Sequence, residues 1–261
     1  MSRLPSGAER KETRAAEIRA EERVFGSMGK RVKGYLVFTS KIYRIIICLL
    51  MPAALTALGV WTGAHVGDTR LALVLMAMLL ALTEVVSDAW LFGGLQARDA
   101  EKMDYLKVSG RGMALMRNAL ALDLFRKFLT ALCTIGVAYL IIGQVKGGLQ
   151  GTMESAVDLI SRGDVFQKTG FVAYLVLLAY WASALGTFLS RYGSTFQGNL
   201  MLGYGAMVLA GLAGLLGPSL VQYPSGGIFL LDLLCLAAGI GVSVLAVRAA
   251  MGKVEGGYHD E

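Results

Sequence analysis

Two carboxylates, Glu84 and Asp88, lie four residues apart inside one apolar run, and so share one face of a helix. A carboxylate near the middle of a membrane-spanning helix costs about 2.5–3.5 kcal/mol on insertion scales, so it is placed toward a bundle interior or an aqueous path. Two uses fit this spacing. Glu84 and Asp88 form a substrate path or gate, with Arg44 of the preceding apolar run as a paired cation, or they form an interhelical ion-pair clamp that holds a bundle together.

Other chemistry-bearing residues exclude more than they suggest. Cys48, Cys133 and Cys235 all fall within apolar runs, where small buried thiols behave as hydrophobes, and they show no disulfide or metal spacing. His65 and His259 are the only histidines and lie far apart in sequence, which argues against a histidine-based metal or catalytic site. No G-x-x-x-x-G-K-[ST] phosphate loop occurs; Gly26 to Lys30 reads GSMGK, too short and without a preceding strand. No residue is assigned a catalytic role, and no metal or cofactor is expected in this chain.

The elements that must position Glu84 and Asp88 follow from composition. Hydrophobic residues make up 55% of 261, with only four prolines, and mean hydropathy is +0.58. These values indicate an all-α polytopic membrane protein. Six apolar spans are predicted: Ile42 to Trp61, Leu71 to Leu95, Phe128 to Gly143, Phe171 to Leu189, Leu200 to Leu220 and Ile228 to Val247. The third is short and can borrow the turns over Ala119 to Phe125.

Lysine and arginine set the orientation, since basic residues stay on the cytoplasmic side during insertion. With Arg44 set aside, twenty lie on the face that carries both termini and four on the other. Both termini are therefore expected in the cytoplasm, at the plasma membrane. The net charge of +6 is a topology signal, and no nucleic-acid partner is expected. No cleavable signal peptide is expected either, because a long polar stretch precedes the first apolar run.

Three domains follow: a charged cytoplasmic segment over 1–29, a six-span domain over 30–250 and a cytoplasmic tail over 251–261. Glu9 to Arg23 is rich in alternating charge and reads as a solvated helix or tail. Lys30 to Arg44 mixes cations with Val32, Tyr35, Leu36 and Phe38, suiting a helix in the headgroup layer of membrane lipids or a plain juxtamembrane anchor.

Between the second and third spans, Gln96 to Lys127 is charged and helix-prone, with a turn over Ser109 to Gly112. Helix, turn and helix is the simplest reading. A connector needs only a few residues, so a hairpin of this length points to a docked partner. The pattern acidic-Lys-Met-x-x-Leu-Lys-x-Ser-x-Arg-Gly, with the polar N-terminus and six spans, resembles the membrane subunit of an ABC transporter of the ABC-2 exporter type. In that family this loop forms a coupling helix seated on a nucleotide-binding subunit. The resemblance implies that Glu101, Lys102, Met103, Leu106, Lys107, Ser109 and Arg111, with Asp99 and Tyr105 in the same segment, meet an ABC ATPase. It implies ATP and Mg in that partner, and a second permease copy or paralogue.

Other segments are less specific. Gly203, Gly205, Gly211, Gly214 and Gly217 crowd the fifth span, and Ala206, Ala210 and Gly214 form a small-residue ridge for close packing in the bundle or between copies. Gly217 to Gly227 matches either a re-entrant element or an outer turn. Met153, Val157 and Ile160 suggest a short helix on the outer face. Two other functions fit a six-span chain: a non-transporting scaffold or accessory subunit, and a secondary carrier. The absence of a sequence repeat between the halves disfavours a carrier. A CDP-alcohol phosphotransferase would need aspartates where Trp90 and Gly93 stand and a glycine at Lys107, so its Mg²⁺ cage is missing.

Overall fold

In the computed structural model, residues 28–65, 69–91, 110–147, 164–190, 196–220 and 227–256 are described. These residues are entirely helical: α1 (Met28–Phe38), α2 (Lys41–His65), α3 (Thr69–Leu91), α4 (Gly110–Gly147), α5 (Asp164–Ser190), α6 (Phe196–Leu220) and α7 (Gly227–Gly256). The helices α2 to α7 are each long and apolar enough to cross a membrane, which makes the chain a multi-pass membrane protein. The charged stretch over 9–23, the coupling segment from Asp99 to Ser109, the short helix expected over 153–160 and most of the re-entrant element or outer turn, 221–226, lie outside the described residues.

Helix α2 begins at Ser40, whose side chain accepts the Tyr43 N–H at 3.0 Å, satisfying one of the donors that a helix start leaves open. It widens into one π-helical turn over Ile46–Leu50 immediately before Pro52. Proline lacks an N–H and crowds the carbonyl four residues back, and a widened turn accommodates both defects without ending the helix.

The largest departure from sequence expectation is α4. The third span was expected to begin at Phe128, whereas the helix runs unbroken for 38 residues from Gly110. Asp123, Arg126 and Lys127 are thereby inside the helical bundle, and the second arm of the expected hairpin is continuous with the span. The charges do not end the helix because partners on other helices meet them.

Packing divides the bundle by depth. An apolar core of α2, α3, α4 and α5, including Leu73, Met76, Leu80, Ile135, Ile142, Leu175 and Leu178, fills the half away from residues 28 and 256. Burial takes 61% of the most apolar stretch of α3 and of α5 but 11% of that of α7, so α3 and α5 form the centre and α7 an outer wall. The glycines of α6 allow it to lie close against antiparallel α3: Gly203 meets Leu82 and Val86, Gly211 meets Met78, and Gly214 meets Val74. Ala206 and Ala210 join Ala81, Val85 and Ala182 in the same seam, so the small-residue ridge packs inside the bundle.

Helix α1 packs on α4. Tyr35 clusters with Tyr43, Ile47, Met116, Ala119 and Leu120, with Ala250 and Met251 of α7 completing the group. The Asn118 side-chain amide donates to the Arg31 carbonyl at 3.1 Å, a second tie between the two helices.

Candidate functional site

Five charged side chains from two helices meet at the end of the bundle nearest α1. Helix α3 supplies Glu84 and Asp88, and α4 supplies Asp123, Arg126 and Lys127. Their spacing follows from helical geometry: Glu84 and Asp88 are one turn apart on α3, and Asp123 and Lys127 one turn apart on antiparallel α4, so opposite charges face each other along the seam.

The Arg126 guanidinium grips Glu84 bidentately, with Nη1 donating to Oε1 at 3.0 Å and Nη2 to Oε2 at 2.7 Å. Its Nε donates to Asp123 Oδ1 at 3.0 Å. A planar fork presented to a carboxylate is the geometry that makes such pairs strong and orientation-specific. The Tyr43 ring lies beneath the guanidinium, with Cζ 6.0 Å from the ring centroid.

Lys127 and Asp88 form the deeper pair. Lys127 Nζ donates to Asp88 Oδ1 at 2.6 Å and to Thr187 Oγ1 of α5 at 2.7 Å, while the Thr187 hydroxyl donates to Asp88 Oδ2 at 2.6 Å. The result is a closed triangle of lysine, aspartate and threonine that joins three helices. Both charged side chains are wholly buried. Charges withdrawn this far persist only when paired and further hydrogen-bonded, which the triangle provides.

Asp123 links the two pairs. Its Oδ1 accepts from Arg126 and from the Tyr35 hydroxyl, the latter at 3.1 Å, while Oδ2 lies 3.8 Å from Lys127 Nζ. Oδ2 makes no hydrogen bond. Burial, and then the Asp123 carboxylate, push the Tyr35 phenol well above its ordinary pKa, so it remains the donor. Three carboxylates therefore face two cations in the buried set.

Glu84 and Asp88 do share one site, as their spacing predicts, but their cations are Arg126 and Lys127. Arg44 is half-exposed in the first turn of α2 and forms no ion pair with either carboxylate. By sequence Asp123, Arg126 and Lys127 belong to the loop before the third span, and nothing in the sequence singles out Thr187. One signal was available: acids four apart on one span, and adjacent cations on the next, match in an antiparallel pair. Arg111 lies in the first turn of α4, and the other coupling-segment residues precede the described part of that helix.

Chemically, the arrangement is a buried ionic clamp joining α3, α4 and α5. It holds no thiol or histidine poised as a nucleophile, and no group of three or more metal-ligating side chains forms a metal site among the described residues. It holds α3, α4 and α5 in one register. No protein-family model matches the chain, and no curated protein or solved structure matches it.

Proposed function

We propose that this chain is the permease subunit of an ATP-driven exporter of the ABC-2 type. It is oriented with both termini in the cytoplasm of the plasma membrane and works beside a second permease copy or paralogue and two ABC ATPase subunits that bind ATP and Mg. Support comes chiefly from one observation. The helix that follows the coupling-like segment continues unbroken from Gly110 into Arg126 and Lys127, which pair with α3 and α5. A push on residues 99–109 would therefore act on one continuous helix that meets α3 and α5 through buried ion pairs as well as through apolar packing. Closure of the ATPases moves that helix, the pairs to Glu84 and Asp88 shift, and α3 and α4 tilt between inward-open and outward-open arrangements.

The test is co-purification under mild extraction. An ATPase subunit is expected to remain with the wild-type chain and to be lost from Met103→Ala/Leu106→Ala/Arg111→Ala. Retention of the ATPase by the triple variant would refute the docking site.

A second reading, an ion-coupled secondary carrier, is favoured by the buried ionic set itself, since intramembrane charges commonly line ion paths. Uptake or efflux by reconstituted protein driven by an imposed proton or sodium gradient, without ATP, would decide for it.

A further inference from the structure

We propose that the first turns of α2 are a two-position switch that exchanges Tyr43 for Arg44 beside Asp123. The π-helical turn over Ile46–Leu50 holds one residue more than an α-helical path through the same turns needs, and the Met51 N–H accordingly reaches back five residues to the Ile46 carbonyl. Absorbing that residue into a regular ladder lengthens the helix by ~1.5 Å and turns everything before it by about 100°. Tyr43 lies eight residues before Met51. In a regular helix built back from the same Met51, its place belongs to Arg44, seven residues before.

Two buried atoms favour a second position. The Tyr43 ring lies under Arg126, yet its hydroxyl has no hydrogen-bond partner among the described residues. Asp123 Oδ2 lacks one too, while Arg126 occupies Oδ1. Turning α2 removes the first defect, because Tyr43 moves toward the place that Ile42 now holds at 71% exposure. It answers the second, because the Arg44 guanidinium arrives beside Asp123 with donors to offer. Glu84 of α3, Arg126 of α4 and Tyr35 of α1 also face that place, and Arg126 keeps its bidentate hold on Glu84.

The surrounding helices leave this motion room. Beyond the π turn, Gly59 lies against Met76 and Gly63 against Ile142, which fixes the second half of α2. Before it, α1 is held to α4 through Tyr35 and Asn118. Thr39 and Ser40 lie between α1 and α2, outside both helices, and take up the turn of Lys41–Ile45. The switch rests on the geometry of α2 and not on the transporter reading.

Spin labels at Ile42→Cys and Phe196→Cys, both exposed positions, report the turn. Pulsed electron resonance is recorded on the full chain in lipid vesicles, with Cys48, Cys133 and Cys235 changed to Ala. Two label-to-label distances are expected. Tyr43→Ala empties the slot and should raise the shifted population at least about tenfold. Arg44→Gln should lower it about tenfold, since a charge-assisted hydrogen bond is lost. Deleting Leu49, an exposed residue of the π turn, removes the extra residue and should leave a folded chain with the unshifted distance alone. Deleting Ala57, exposed in regular α-helix, should instead carry Tyr43 off Arg126 and lower the unfolding midpoint. A single distance in both the wild-type chain and Tyr43→Ala overturns the switch. So does a second distance that survives deletion of Leu49 or is unchanged in Arg44→Gln, and so does a Leu49 deletion as disruptive as that of Ala57.

Discussion

Lys127 Nζ stands 2.6 Å from Asp88 Oδ1 with neither side chain exposed, joining α4 to α3 across 39 residues of sequence. Thr187 closes the contact from α5. A pair withdrawn this completely depends on both members: losing one leaves a buried charge unmatched, while losing both leaves a cavity edge that apolar side chains can fill.

Removing only the cation should therefore be the harsher change. Lys127→Met is expected to cost about 3–5 kcal/mol, and Lys127→Met/Asp88→Leu to recover a large part of that loss. Thermal unfolding midpoints in detergent, followed by size exclusion, rank the two variants. A double variant no more stable than the single one would show that the pair is not the source of the effect.

Glu84→Gln and Asp88→Asn separate gate from clamp. Under the proposed function transport per folded molecule, in vesicles containing the associated ATPase, falls at least about tenfold in both variants, the equivalent of ~1.4 kcal/mol on a rate-limiting step, even though Asp88→Asn, which leaves Lys127 unmatched, also lowers the folded population. If activity declines only in proportion to folded protein, these carboxylates serve structure alone.

Tyr35 latches α1 to α4 through Asp123. Tyr35→Phe should cost about 1–3 kcal/mol, because a buried carboxylate oxygen loses a donor, and should speed tryptic cleavage after Lys30 and Lys33. The latch also has a pH signature. Because the folded-state pKa of Tyr35 is raised above the ordinary 10.0, its stabilisation is intact below pH 10 and is lost as pH rises beyond that value toward the raised one. Trypsin sensitivity of the wild type should rise in that alkaline range, and the rise should be smaller in Tyr35→Phe.

Two glycines of α6 provide an internal comparison. A Cβ at Gly203 would sit 2.8 Å from Leu82 Cδ1 and 3.2 Å from the Leu82 carbonyl oxygen, whereas one at Gly205 meets nothing within 4 Å. Gly203→Ala should lower the unfolding midpoint, since backbone cannot retreat without parting α6 from α3. Gly205→Ala should be neutral or stabilise by up to about 1 kcal/mol through helix propensity. Equal effects at the two positions would contradict the close α3–α6 approach.

Sequence alone made the six spans legible because each needs only about 20 apolar residues, a local property. It also placed Glu84 and Asp88 on one face, since that depends on spacing within one helix. The beginning of α4 was hidden for the opposite reason. Asp123, Arg126 and Lys127 look like loop charges until their partners are known, and those partners, Tyr35, Glu84, Asp88 and Thr187, lie 39 to 88 residues away in sequence. Arg44 drew attention as the cation nearest a span in sequence, but the bundle faces α4 rather than Arg44 toward the acids of α3. The small-residue ridge of α6 announced close packing, and only three-dimensional contacts could say that its partner is α3.

The buried ion pairs also impose an order on biogenesis. Synthesis proceeds from the N-terminus, so α3 is complete before its cations exist; Arg126 and Lys127 follow Glu84 and Asp88 by 42 and 39 residues. Each helix alone carries charges that are costly in lipid and that pairing with the other offsets, so α3 is expected to settle more stably once α4 is present. Helix α1 is made before both, yet Asn118 and Asp123, to which it is tied, emerge long after it. The earliest described helix to leave the ribosome must wait for the third span before it can be seated.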